Sequence, residues 1–203
     1  MISRRTVLLG SISAIFLNSI SVSARPVQKL FGYSEIKNTN ISPFKKWVGV
    51  LNKYKNEIKN PTKKEIEWIK FVKSLSTKSI FYQLEKINTY VNQSMYITDE
   101  TNYGKKDYWA TPREFFDNSG DCEDYAITKY LSLKMLGIPI NKLRIVVIQD
   151  TLNNISHAVL AYYSKDGIFI LDNRNNQIYV DNRISYYKPL YSINEHNWWV
   201  HIN

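Results

Sequence analysis

The sequence predicts an α+β protein, with a helical N-terminal lobe packed on an antiparallel β-sheet. Three observations lead there. From residue 44 to about 136, apolar residues recur at three- and four-residue spacing, the period of helices with one buried face. From residue 143 onward the texture changes to short runs of branched and aromatic residues between turn signals, the mark of strands. Helices come first and strands after, rather than alternating, which gives segregated layers and antiparallel pairing. A length of 203 residues with 44% hydrophobic and 22% charged content suits one domain with a sizeable core.

The first 24 residues read as a signal peptide outside the fold. Arg4 and Arg5 precede a mostly apolar run from Val7 to Leu17, and Val22-Ser23-Ala24 supplies the small residues a signal peptidase reads. Cleavage is expected after Ala24. The run is short for a membrane span, and no later stretch could cross a bilayer. Ser3-Arg4-Arg5-Thr6 loosely matches a twin-arginine signal, and a plain secretory signal fits nearly as well. The expected location is therefore the periplasm, where the cell has one. Residues 25–43 read as an irregular lead-in and residues 44–203 as a single domain.

Within that domain, Phe44, Trp47, Val48, Leu51 and Ile58 fall mostly on one helical face. Asn60-Pro61 breaks the pattern, and Thr62 with Glu65 forms a capping-box signature for a second helix carrying Ile66, Ile69, Val72 and Leu75. A third helix is expected from about Ser79 to Met95. Residues 96–116 look less regular. A fourth helix begins near Cys122, carries Tyr125, Ala126, Tyr130 and Leu133, and stops at Gly137 with Pro139 beyond. Strands are expected at 143–148, 157–163, 168–172 and 177–180, with turns at Asp166-Gly167 and Asn173–Asn176. The aromatic stretch Trp198-Trp199-Val200 and the pair Tyr186-Tyr187 read as core. Trp109 reads as core or as the lip of a cleft.

Net charge is +9, and loss of Arg4 and Arg5 with the leader leaves about +7. The lysines of residues 45–78 interleave with apolar residues at helical spacing. They read as solvated helix faces rather than as a nucleic-acid surface.

There is one cysteine, so an internal disulfide is excluded. A lone thiol in an oxidising compartment risks oxidation. It is either buried as a small apolar group or it is chemically used. Cys122 lies in Asn118-Ser119-Gly120-Asp121-Cys122-Glu123-Asp124, at the expected first turn of a helix. Unpaired backbone N–H groups and the helix dipole favour the thiolate there. Of three histidines, His157 begins an expected strand and Asp172 ends the next, while His196 and His201 lie near the C-terminus. With a hairpin turn at 164–167, Asp172 falls opposite Val159 and His157 is its diagonal neighbour on the same face, within side-chain reach. Cysteine nucleophile, histidine base and orienting aspartate would form an acyl-transfer triad. Asp121, Glu123 and Asp124 oppose thiolate formation by their charge. They either match the helix dipole or bind a hard cation such as Ca²⁺. The spacing is not that of an EF-hand.

Gly120-Asp121-Cys122-Glu123-Asp124-Tyr125-Ala126, followed by Lys129-Tyr130 and Leu133, resembles the bacterial transglutaminase-like cysteine proteinases, in particular their LapG-type periplasmic members. Asp107-Tyr108-Trp109-Ala110-Thr111-Pro112, Ser156-His157-Ala158-Val159-Leu160 and Leu171-Asp172-Asn173 fit the same pattern. The resemblance covers roughly residues 85–200. It implies a papain-like or transglutaminase-like core and Cys122, His157 and Asp172 as triad. It also implies calcium dependence through Asp121 and Glu123, with Asp124 and loop groups near Asp99 to Asn102 completing the site. Its members cleave the N-terminal region of large surface adhesins and so release biofilm, under restraint by an inner-membrane cyclic di-GMP receptor. Lys105 and Lys106 make the segment before Asp107 more basic than the family pattern. The same triad would serve a transglutaminase-like acyltransferase, and the same fold a non-catalytic binding module.

Overall fold

The computed structural model describes residues 28–203, so the expected leader lies outside the described residues. After a short 3-10 turn at Leu30–Gly32, a strand β1 (Ser34–Asn38) begins the sheet. Six helices follow: α1 (Lys45–Glu57), α2 (Lys63–Ser74), α3 (Ile80–Val91), α4 (Asp99–Tyr103), α5 (Pro112–Asn118) and α6 (Cys122–Met135). The chain then runs through β2 (Leu143–Asp150), β3 (Ile155–Ser164), β4 (Gly167–Asp172), β5 (Asn175–Val180), β6 (Tyr187–Ile193) and β7 (Trp198–Ile202). The strands form one seven-stranded sheet in the order β1-β7-β6-β2-β3-β4-β5, and every pairing is antiparallel.

The helix boundaries follow local chemistry. Thr62 Oγ1 accepts the Glu65 N–H at 3.3 Å, and Glu65 accepts the Thr62 N–H at 2.8 Å, the expected capping box of α2. The Glu65 carboxylate is fully buried and also pairs with Arg113 of α5 at 2.8 Å, which ties the two helices together. Helix α6 runs through the centre, with every residue from Asp124 to Leu133 buried. It closes on a Schellman motif: Gly137 takes φ +85°, its N–H bonds Lys134 O at 2.9 Å, and the Ile138 N–H bonds Leu133 O at 3.2 Å.

The main core fills the space between the helices and one sheet face. Trp47, Trp68, Leu84, Ile87, Tyr130 and Leu133 meet Leu143, Ile145, Leu160 and Tyr162 there. The alternate residues Val146, Ile148, Val159, Ala161 and Tyr163 build a smaller cluster that Leu30, Ile184 and Tyr187 complete, as the two-residue period of strands requires.

Three segments differ from expectation. The lead-in at 25–43 is not wholly irregular: residues 34–38 form an edge strand against β7, and Leu30 is fully buried. Ser34-Glu35-Ile36-Lys37-Asn38 is too polar to signal a strand, but Glu35 pairs with Arg144 at 2.6 Å, and that guanidinium lies 3.6 Å from the Trp199 ring centroid and 4.1 Å from that of Tyr163. Residues 96–116 contain α4 and most of α5, and Thr111 and Glu114 form a second capping box. Finally, β6 and β7 extend the sheet where no strand was expected, with Trp199 buried as read.

Candidate active site

The turn from α5 into α6 is built to deliver Cys122. Ser119 ends α5 with φ +65° and ψ −169°, a conformation costly for any residue with a Cβ. Gly120 then passes so close to Asp124 that a Cβ there would stand 2.2 Å from Asp124 Oδ2 and 2.9 Å from its Cβ. Its carbonyl accepts the Ile97 N–H at 2.9 Å, pinning the turn to the segment after α3. Cys122 follows as the first residue of α6, where first-turn N–H groups have no acceptor within the helix. Its Sγ donates to Glu123 Oε2 at 3.1 Å. Burial and the Glu123 carboxylate push the thiol pKa up, and the Ala158 N–H, next to His157, pulls it down.

His157 and Asp172 meet as the strand geometry predicts. Leu160 pairs Leu171 and Ser164 pairs Gly167, which extends to Asp172 opposite Val159. His157 Nε2 lies 2.9 Å from Asp172 Oδ1, and both residues are buried. Asp172 also accepts the Arg174 N–H at 3.0 Å and the Tyr187 hydroxyl, on Oδ2, at 2.6 Å. Burial opposes ionisation of Asp172, but the donors, led by His157, outweigh it and hold the carboxyl down to about 2. An ionised carboxylate can only accept, so His157 Nε2 carries the proton and Nδ1 keeps its lone pair when the ring is neutral. Behind this pair Arg174 Nη1 bonds Asp150 Oδ2 at 2.6 Å. Lys129, about two turns along α6 from Cys122, is wholly enclosed; burial lowers it to about 7 while Asp172 acts to raise it.

The three acids read as cation ligands come together with a fourth and a fifth. Asp99, Asp121 and Asp124 offer oxygens within 4.8 Å of one another, and Asp99, Asp107 and Glu123 do so as well. Asp99 Oδ1 and Asp121 Oδ1 are buried with no hydrogen-bond partner. Unpaired buried anionic oxygens are costly, and such an oxygen-only donor set fits a hard cation. Asp124 differs from the other two. Its Oδ1 accepts the Ala110 N–H at 2.7 Å and its Oδ2 the Asp121 N–H at 3.2 Å, so it organises the turn as much as it offers a ligand. Burial and the neighbouring acids raise both Glu123 and Asp124.

The other expected residues fall elsewhere. His201 is buried on β7 against Ser192 Oγ at 2.9 Å. Trp109 is partly buried, with its ring 6.3 Å from Trp47. It lines a cavity of about 310 Å³ with Phe44, Tyr191 and Asp107, which places it at the edge of the acid cluster. A cavity of about 770 Å³ at the β3–β4 hairpin holds none of these groups. Sequence reasoning missed Tyr187, Arg174 and Asp150. The doublet Tyr186-Tyr187 carried no signal that one ring is buried against Asp172 while the other is exposed.

A sequence profile of the family described as bacterial transglutaminase-like cysteine proteinase matches residues 37–203. No curated protein matches the chain. Among solved structures, the chain is similar to Legionella pneumophila LapG, with 34% identity and a TM-score of 0.63, covering 74% of this chain and 87% of that one. The calcium-bound form of the same Legionella pneumophila protein matches at 34% identity and a TM-score of 0.63 over 73% of this chain and 86% of that one. Its EGTA-treated form also matches, at 34% identity and a TM-score of 0.63, over 74% and 84%. The helices and the antiparallel sheet agree with this likeness, and the chain belongs to the bacterial transglutaminase-like cysteine proteinase family.

Proposed function

We propose that the protein is a calcium-dependent periplasmic cysteine endopeptidase with Cys122, His157 and Asp172 as its catalytic triad. The observation that carries the reading is the buried His157–Asp172 pair on adjacent strands, at the level where the Ala158 N–H faces the sole thiol. His157 Nδ1 takes the Cys122 thiol proton as Sγ attacks the substrate carbonyl. Asp172 holds Nε2–H and stabilises the imidazolium. First-turn N–H groups of α6 are donors for the oxyanion. The imidazolium then protonates the leaving amine, and water releases the acyl-enzyme.

Asp99, Asp121 and Glu123, with Asp124, would hold Ca²⁺, whose charge offsets the carboxylates that otherwise oppose the thiolate. The calcium-bound Legionella pneumophila protein supports this choice of ion. The substrate we assign is the N-terminal region of a large surface adhesin, cut to release biofilm. The restraining partner is an inner-membrane cyclic di-GMP receptor. Both assignments rest on the likeness to LapG. The leader reading supports export, and no described helix is long and apolar enough to cross a membrane.

The test incubates purified protein with the N-terminal region of an adhesin from the same organism, in calcium and in EGTA, beside Cys122→Ala. New N-termini that need both calcium and Cys122 support the reading. Cleavage by Cys122→Ala defeats it. Incorporation of a labelled primary amine without new N-termini transfers the site to acyltransferase chemistry, and an inert thiol points to a binding module.

A further inference from the structure

We propose that Tyr187 is a positioning residue for the triad, its hydroxyl fixing the Asp172 carboxylate so that Oδ1 stays aimed at His157. The kinetic part of this inference rests on the protease reading above.

Tyr187 is not a sheet neighbour of Asp172. It begins β6, and two strands, β2 and β3, lie between β6 and β4. Its hydroxyl nonetheless reaches Asp172 Oδ2 at 2.6 Å. The ring is buried, with Phe31 edge-on at 5.7 Å, Tyr186 edge-on at 4.9 Å and the His157 ring at 6.0 Å. Packed on these sides, the ring has little freedom to take its hydroxyl elsewhere.

A second strap runs the opposite way. Arg174 gives its backbone N–H to Asp172 Oδ1 at 3.0 Å and its guanidinium to Asp150 Oδ2 at 2.6 Å. Asp150 is held in turn by the Leu152 and Asn153 N–H groups at 3.0 and 3.2 Å, and it pairs with Tyr187 in the β2–β6 register. Tyr187, Asp150, Arg174 and Asp172 therefore close a ring across four strands. A carboxylate can turn about its last bond and exchange its oxygens. With Oδ2 tied to a hydroxyl from across the sheet, that rotation is blocked, and the bond to His157 keeps one geometry.

A purely structural account says that a buried tyrosine needs some acceptor and that Asp172 is the nearest. Tyr187→Phe separates the two, because it keeps the ring and removes only the hydroxyl. In calcium, with adhesin substrate, we expect kcat to fall about tenfold, the effect of one charge-assisted bond, with KM within about twofold. In histidine-labelled protein, the His157 Nε2–H signal should shift or broaden. In an Asp172→Asn background the same substitution should cost no further activity, since Tyr187 acts through that carboxylate. A kcat within about twofold of wild type, or losses that simply multiply in the double variant, overturns the proposal. If the wild-type protein cleaves no adhesin, the protease reading has failed on its own. The His157 signal then decides for Tyr187: movement sustains the proposal and an unmoved signal overturns it.

Discussion

Gly120→Ala tests how tightly the turn before Cys122 is built. The added Cβ would stand 2.2 Å from Asp124 Oδ2 and 2.9 Å from Asp124 Cβ. The side-chain end could swing from a clash in open space. Asp124, however, is fully buried, and its two oxygens hold the Ala110 N–H at 2.7 Å and the Asp121 N–H at 3.2 Å. Either Asp124 leaves and strands the Ala110 and Asp121 N–H groups, roughly 1–3 kcal/mol each, or the turn shifts at an overpacking cost of about 1–3 kcal/mol. The cheaper of the two routes sets the loss, about 2–3 kcal/mol. At roughly 2–4 °C per kcal/mol for a domain of this size, the melting midpoint should drop by about 4–12 °C. Circular dichroism melts measure this, and iodoacetamide labelling of Cys122 reports whether the turn still presents the thiol. Gly49→Ala is the control: it sits inside α1 with nothing within 4 Å of the new Cβ, so it should gain about 0.5–1 kcal/mol. A Gly120→Ala midpoint within about 2 °C of wild type would refute the reasoning.

Two further expectations concern stability. Arg113→Ala leaves the fully buried Glu65 carboxylate without its ion pair, and Glu65 Oε1 already has no partner, so a loss of about 3–5 kcal/mol in urea unfolding is expected; a loss under about 1 kcal/mol would contradict it. His201 is held down to about 4 by burial, with Arg144 adding to the effect and Glu35 opposing it. The unfolded chain takes that proton near 6.5, so stability is full above 6.5 and falls as pH drops toward 4, by about 2 kcal/mol once solvent screening is allowed for. His201→Gln should flatten the urea midpoint between pH 6.5 and 4, and an unchanged slope would dismiss this role.

Much of the site was legible because its signals are local. The Thr62–Glu65 capping box, the Gly137 stop and the hairpin at Asp166-Gly167 are short-range chemistry, and each is found where the residues place it. The meeting of His157 and Asp172 needed only the hairpin turn and the two-residue strand period. What was illegible depends on distant partners. Strand β1 is polar and exists because β7 offers an edge and Arg144 awaits Glu35. Strand β6 contains Pro189, which argues against an interior strand on pattern alone; the pairing with β2 shifts register beside it, between Val147 and Ile148. Tyr187 and Asp172 are fifteen residues apart, yet their contact crosses two intervening strands that no local pattern announces.

Several costly features meet at the N-terminal end of α6. Ser119 is strained, Gly120 admits no side chain, and the Asp99 and Asp121 Oδ1 atoms are buried without partners. None of these helps α6 to fold. The helix is held instead by its remaining length, through Tyr130, Leu131 and Leu133 in the main core and the Schellman closure at Gly137. Its far end and middle supply stability, so its N-terminus is free to carry strain and charge. A cation among Asp99, Asp121 and Glu123 would act on that end alone. Its removal should therefore loosen the turn and the thiol while the hydrophobic packing farther along α6 persists. Loss of thiol reactivity in EGTA should accordingly precede, and not require, loss of helical signal.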